Sequence, residues 1–215
     1  MRGIIFDMDG VLFATEAIWQ KCFNKAARER GLVLDDSFRK EVGGSNGEHM
    51  RQTVRKHFHT SDPDSIIKQV YGYVDDELAK NLPEKPGLHE ILADLKEKGY
   101  HIAVASASPH STIESNLQRS NVRDYFEVIL SGEEVEHSKP DPDIFIKAAE
   151  KLGIPNEECY VIEDAYNGVK AGTAAGSKVI MVIDTQIPNE QISSLCYKVC
   201  DSLLEVIPYI EKSSC

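Results

Sequence analysis

The sequence predicts an α/β fold, a doubly wound parallel sheet with an all-helical block inserted after its first strand. Three observations point to it. Short apolar runs ("HIAVAS", "FEVILS", "CYVIED", "KVIMVI") alternate with amphipathic helical stretches in the second half of the chain, the rhythm of parallel strands joined by helical crossovers. A similar run, "GIIF", opens the chain and is separated from the others by helical stretches with no convincing strand between them. Three of the runs end on acids or small hydroxyl residues: Asp7-Met8-Asp9, Ser106-Ala107-Ser108 and Glu163-Asp164.

The elements follow in order. Strand Gly3–Asp7 comes first. "TEAIWQKCFNKAARERG" then carries Ile18, Cys22, Phe23, Ala26 and Ala27 at helical spacing, with Thr15 as its cap and Gly31 as its end. Further helices are expected at Asp36–Val42, Gly47–Phe58 and Ser65–Asn81, and "LPEKPG", Leu82–Gly87, reads as a linker. Beyond it, helix His89–Lys98 leads to strand 101–106, and helix Ser111–Gln118 to strand 126–131. Helix Pro142–Leu152 leads to strand 159–164, and helix Asn167–Ala175 to strand 178–183. A last helix is expected at Ser202–Glu211. The expected division is a core of residues 1–13 and 83–215 and a helical block of residues 14–82.

Composition narrows the function. With 215 residues, 41% of them hydrophobic, the chain can bury a substantial core. A net charge of −11 argues against a nucleic-acid partner, which needs a basic face. A small anionic substrate stays compatible, because a metal ion and one lysine can dominate a local field. The five cysteines form no CxxC pair and read as reduced thiols, with Cys196 and Cys200 spaced to share a helix face. No apolar run approaches the roughly 20 residues of a membrane span, and the strand opening at Gly3 leaves no room for a charged leader. A cytoplasmic protein is expected.

In open parallel sheets, ligands bind beyond the carboxyl ends of the strands. Asp7, Asp9, Ser106, Glu163 and Asp164 are expected on that rim, with Lys139 arriving in the loop "HSKPDPDIF". Alternation puts Asp7 and Asp9 on one side and Met8 on the other. A lone Asp after a strand is usually a turn or cap residue, but acids at the ends of separate strands would repel unless a cation sat among them. Hard oxygen ligands of this kind suit Mg²⁺.

Together, "FDMDGVL", "VASAS", "SKPDPDIF" and "VIEDAYNGVKAG" make the chain resemble the haloacid dehalogenase superfamily of phosphotransferases, in the branch similar to β-phosphoglucomutase and small sugar-phosphate phosphatases. The resemblance spans essentially the whole chain and makes the helical block a cap. It implies that Asp7 is the nucleophile, forming an aspartyl-phosphate, and that Asp9 is general acid and then base. It implies Mg²⁺ at the Asp7 and Asp164 side chains and the Asp9 carbonyl, with Glu163 at the metal directly or through a water. Ser106, the Ala107 N–H and Lys139 would hold the phosphoryl oxygens. A carboxylate approaching a phosphate dianion meets repulsion of roughly 4 kcal/mol per charge pair at about 4 Å and an effective dielectric near 20, about 8 kcal/mol for two pairs. A divalent ion and Lys139 reverse that sign.

Other signals weigh less. "GGSNG", Gly43–Gly47, fits the G-x-S-x-G elbow of serine hydrolases, but that elbow needs a preceding strand and "DSFRKEV" reads as helix. As a cap loop it would bring Ser45 and Asn46 to the leaving group, with Trp19 packing in the cap or facing the substrate. His57 and His59 read as a surface pair at a charged helix end, and His110 as either solvent-facing or reaching the pocket. Relatives commonly have an acid and a histidine where this chain has Ala14 and Trp19, and the mutase has an arginine where it has Asn46. These departures favour a Mg²⁺-dependent phosphatase of a small phosphorylated metabolite over a phosphosugar mutase. A non-catalytic phosphoacceptor module is the third reading. Relatives with this cap are often monomers, and a monomer is expected.

Overall fold

A computed structural model describes residues 2–43, 45 and 47–212. Strand β1, Gly3–Phe6, is followed by helices α1 (Glu16–Arg28), α2 (Asp36–Val42), α3 (Gly47–Phe58), α4 (Pro63–Lys80) and α5 (Leu88–Glu97). Then come β2 (His101–Ser106), α6 (His110–Arg119), β3 (Val128–Ser131), α7 (Asp143–Leu152), β4 (Cys159–Glu163) and α8 (Tyr166–Ala174). The chain continues through β5 (Lys178–Val182), α9 (Glu190–Leu195), β6 (Lys198–Cys200) and α10 (Ile207–Lys212). The six strands form one parallel sheet in the order β3-β2-β1-β4-β5-β6.

The sheet is covered on both faces, which is why its strands read as continuous apolar runs. Ile4 and Phe6 of β1 pack on one face with Leu92 of α5, Leu117 of α6 and Ile210 of α10. Ile5 points to the other face, with Phe145 of α7, Val169 of α8 and Ile192 of α9. The two faces are the period-two alternation of the strands made visible. Phe6 also meets Phe126 edge-on, with ring centroids 6.3 Å apart.

Helices α1–α4 bury a separate cluster among themselves, built around Phe23, Phe38, Val54, Phe58 and Val70. Helices α2 and α4 are capped as their sequences suggest: the Asp35 carboxylate accepts from the Ser37 and Phe38 amides, and Asp62 from Ser65, with Pro63 in the first turn of α4. The two connections between this cluster and the sheet run side by side. The Ala14 amide donates to the Pro83 carbonyl at 2.7 Å, and the Lys85 amide to the Leu12 carbonyl at 2.9 Å.

The sequence reading differs from the structure at its edges. Strand β6 and helix α9 were not foreseen; both are short, and the "KVC" strand has no turn residues to announce it. Cys196 therefore ends a helix while Cys200 sits in a strand, and they share no helix face. The helix expected over 202–211 is broken into a 3₁₀ turn, Leu203–Glu205, and α10, whose second residue is Pro208. Thr15 precedes α1, but its side chain caps nothing. No helix is long and apolar enough to cross a membrane among the described residues.

Phe6 is fully buried at the centre of the sheet, so Phe6→Ala is expected to cost about 3–5 kcal/mol. Urea unfolding measures it, and a loss under 1 kcal/mol would mean the aromatic contact contributes little to the core.

Candidate active site

The register fixes what gathers at the carboxyl edge. Phe6 pairs with Val104 on one side and Ile162 on the other, so Asp7 falls one step beyond, beside Glu163. The Asp7 amide extends the ladder by donating to the Ile162 carbonyl at 2.9 Å. Its carboxylate is buried and accepts at Oδ1 from Lys139 Nζ, 2.5 Å away. Lys139, 2% exposed, donates also to Glu163 Oε1 at 2.8 Å and lies 3.4 Å from the Ala105 carbonyl. Its ammonium sits 4.7 Å from the centroid of the Phe145 ring.

Glu163 has both oxygens engaged. Oε1 takes Lys139, and Oε2 accepts from the Asp164 and Ala165 amides at 2.8 and 2.9 Å. Of the two roles expected for it, contact with a metal through a water fits this arrangement better than direct ligation. Gly168 is required here, because a Cβ on it would stand 1.6 Å from Glu163 Oε1. Asp164 is different: its Oδ2 is buried and has no hydrogen-bond partner. Gly10, at φ 88°, presses against it, and a Cβ there would come within 2.3 Å of that oxygen.

Asp9 lies in a ring of hydroxyls. Thr15 Oγ1 donates to its Oδ1, Ser108 Oγ donates to Oδ2 at 2.9 Å, and Ser106 Oγ is 3.4 Å from Oδ2. Ser131 Oγ in turn holds the Ser108 carbonyl at 2.8 Å. Met8 points the other way and is fully buried in the core, as alternation requires. Thr15 and Ser108 were missed as site residues. Ser108 repeats the i, i+2 spacing of Asp7 and Asp9, a signal that was available; Thr15 reads as a helix cap and gives none.

A cavity opens over Asp7 and Asp9. Ser106, Ala107 and Ser108 line it from the sheet edge, and Trp19 of α1, Tyr71 of α4 and Ser45 of the α2–α3 connection from the helical block. Trp19 packs against Phe23 and edge-on against Tyr71, as the packing alternative expected, and also lines the cavity. Asn46 lies outside the described residues. Glu16, which sequence reasoning passed over, also lines the cavity and is buried. His57 is not a surface residue: its side chain is 11% exposed, bonded to Glu41 at 3.2 Å and edge-on to Phe38. His110 is the solvent-facing alternative, half exposed and 3.7 Å from Glu134.

The electrostatics show an overcrowded set of acids. Burial, reinforced by Glu163 and Asp9, pushes the Asp7 carboxyl up to about 8 despite Lys139. Burial and the neighbouring carboxylates also hold Asp164 and Glu16 well above the ordinary range. Burial would push Lys139 down, but Asp7 and Glu163 outweigh it and hold the ammonium charged. An unpartnered buried carboxylate oxygen on Asp164, beside Asp7, is what a hard divalent cation would complete. The donor set fits such an ion.

The profile of the haloacid dehalogenase-like hydrolases matches residues 4–182. The chain belongs to that family. It is 30% identical over 207 residues to hexitol phosphatase B of Escherichia coli O157:H7, covering 94% of this chain and 92% of that one. It is 34% identical over 192 residues to the Arabidopsis thaliana protein SUPPRESSOR OF QUENCHING 1, chloroplastic, covering 86% of this chain but only 18% of that much longer one. Its fold is that of the β-phosphoglucomutase of Clostridium difficile, with a TM-score of 0.83 at 23% identity over 99% of this chain and 96% of that one.

An acid whose folded pKa is raised lends stability below its unfolded value and loses it as the pH climbs through the folded one. For Asp7 that window runs from 3.8 to about 8, and Asp164 and Glu16 act in the same direction. In EDTA, the melting temperature is therefore expected to fall between pH 5 and pH 8. A flat or rising profile in calorimetry would show that these acids are not crowded.

Proposed function

We propose that the protein is a Mg²⁺-dependent phosphatase that hydrolyses a small organic phosphomonoester, a sugar or sugar-alcohol phosphate, through an aspartyl-phosphate on Asp7. The observation that carries this reading is the pairing of two differently held acids at one cavity. Asp7 is buried against a lysine, and Asp9 is held by hydroxyls. Family membership and the phosphatase among the relatives agree with it.

Asp7 and Asp164, with the Asp9 main-chain carbonyl, would hold the ion, and Glu163 would reach it through a water. When bound, it supplies positive charge that lets an anionic nucleophile approach an anionic ester. Asp7 attacks phosphorus while the bond to the ester oxygen breaks, and Asp9 gives that oxygen its proton. Asp9 then takes a proton from water as the water oxygen attacks phosphorus and the bond to Asp7 breaks, freeing phosphate. Lys139 steadies the phosphoryl oxygens, exchanging its longest contact, the Ala105 carbonyl at 3.4 Å, for the substrate. Ser106 and the Ala107 N–H complete the phosphoryl site. Thr15 and Ser108 keep Asp9 aimed at the leaving group.

Residues 14–82 act in this reading as the cap, over a core of residues 1–13 and 83–215, with Trp19 and Ser45 facing the leaving group. The paired connections at Ala14 and Lys85 serve as its hinge. Asn167 of the core reaches across to the cap, its Nδ2 donating to the Glu41 and Gly43 carbonyls at 3.2 Å each. Such a closed cap excludes bulk water from the first step.

Steady-state assays with a panel of sugar and sugar-alcohol phosphates test the reading. Asp7→Asn should leave no measurable turnover, and Asp9→Asn should lower kcat by about 10²–10⁴ while phosphate binding survives. EDTA should stop the reaction and Mg²⁺ restore it. Near-normal turnover in Asp7→Asn, or activity indifferent to chelation, would refute the mechanism.

A further inference from the structure

Helix α2 has only seven residues, Asp36–Val42, too few to hold together by itself. Its last carbonyls need donors that the helix cannot supply, and they are met from elsewhere. The Val42 carbonyl accepts from the Ser45 amide at 3.1 Å and from Ser45 Oγ at 2.7 Å. The Glu41 carbonyl lies 3.1 Å from His49 Nε2 of α3. The remaining donor comes from α8, on the sheet side of the cavity: Asn167 Nδ2 bonds the Glu41 and Gly43 carbonyls at 3.2 Å each. Asn167 is buried in the first turn of that helix, just past Asp164 and Ala165. Beside it, the Tyr166 amide donates to Gln186 Oε1 at 3.2 Å. Gln186 in turn packs over Gly43, where a Cβ would stand 2.5 Å from its Nε2.

We propose that Asn167 is a positioning residue: it caps α2 from across the cavity and so holds Val42, Gly43 and Ser45, which line that cavity, in step with the loop of Glu163 and Asp164. Its structural part stands on the contacts above; its kinetic part rests on the phosphatase reading. One amide nitrogen carries two hydrogens, one for each carbonyl. A carboxylate in its place has only acceptors and would face two carbonyl oxygens. A side chain that merely filled space would be replaced better by the near-isosteric aspartate than by alanine, and the donor role reverses that order. Because α8 begins where the Asp164 and Ala165 amides are pinned by Glu163, a shift of the acid loop carries Asn167 with it. Binding at the acid loop and ordering of α2 are therefore linked, and linkage runs both ways. Loss of the contact lowers the fraction of molecules whose cavity wall is in place, which raises KM by that fraction. Chemistry at Asp7, once the wall is in place, is unchanged.

The test is amide hydrogen exchange, read by mass spectrometry on the full chain without substrate. In Asn167→Ala, exchange across α2 should quicken about tenfold while β1 and β4 keep their protection. In Asn167→Asp it should quicken further. Asn167→Ser, a bond too short to reach the carbonyls, should match alanine and serves if the aspartate variant does not fold. With p-nitrophenyl phosphate and Mg²⁺, the KM of Asn167→Ala should rise about fivefold with kcat nearly unchanged. Unchanged exchange across α2 would overturn the proposal, as would aspartate milder than alanine. So would exchange that quickens equally in the strands, which would make Asn167 a support of the whole fold, or a fall in kcat at constant KM. A parent protein that hydrolyses no p-nitrophenyl phosphate would instead bring down the phosphatase reading, and the exchange result alone would then decide whether Asn167 holds α2.

Discussion

Lys139 lies buried between Asp7 and Glu163, and the site is organised around the shortage of positive charge that this one ammonium leaves. Asp7, Asp9, Glu163, Asp164 and Glu16 converge at the same edge of the sheet. At contact distance and an effective dielectric near 20, each like-charge pair costs roughly 4 kcal/mol. One lysine neutralises part of that. The remainder appears as acids pushed toward their neutral forms, Asp7 to about 8 and Asp164 and Glu16 upward as well. A protein selected only for stability would not build this arrangement; a site waiting for a cation and an anionic group together would.

The fold makes the crowding unavoidable. Parallel pairing of β1 with both β2 and β4 brings three strand ends to one edge, and the two-residue alternation turns Asp7 and Asp9 outward while Met8 anchors the loop in the core. Glycines give the acids room: with a Cβ at Gly10 or Gly168, Asp164 and Glu163 could not stand where they do. The supporting polar contacts are local and directional. Asp9 depends on Thr15 and Ser108, and Glu163 on the amides that follow it.

Much of this was legible in the sequence, for identifiable reasons. Buried parallel strands leave long apolar runs, so β1, β2, β4 and β5 were plain, and the acids that end them are conspicuous because they interrupt such runs. Lys139 was found through its motif, not through its pattern, since nothing local says that a loop lysine is 2% exposed. What stayed hidden depends on tertiary contact. Thr15 resembles a cap because its role is set by Asp9 across a turn, His57 resembles a surface residue because Phe38 and Glu41 arrive from another helix, and Glu16 is a common residue for a first helical turn. The short β6 carries too few residues for a periodicity.

Membership in the haloacid dehalogenase-like hydrolases fixes the scaffold. The proposed chemistry rests on a cation entering the acid cluster so that Asp7 can take a phosphoryl group. A crystal structure grown with Mn²⁺ and trifluoroberyllate tests that most directly. The account predicts an anomalous peak bounded by Asp7, Asp164 and the Asp9 carbonyl, with beryllium bonded to Asp7. Metal bound elsewhere, or a fluoride adduct on any other side chain, would contradict it.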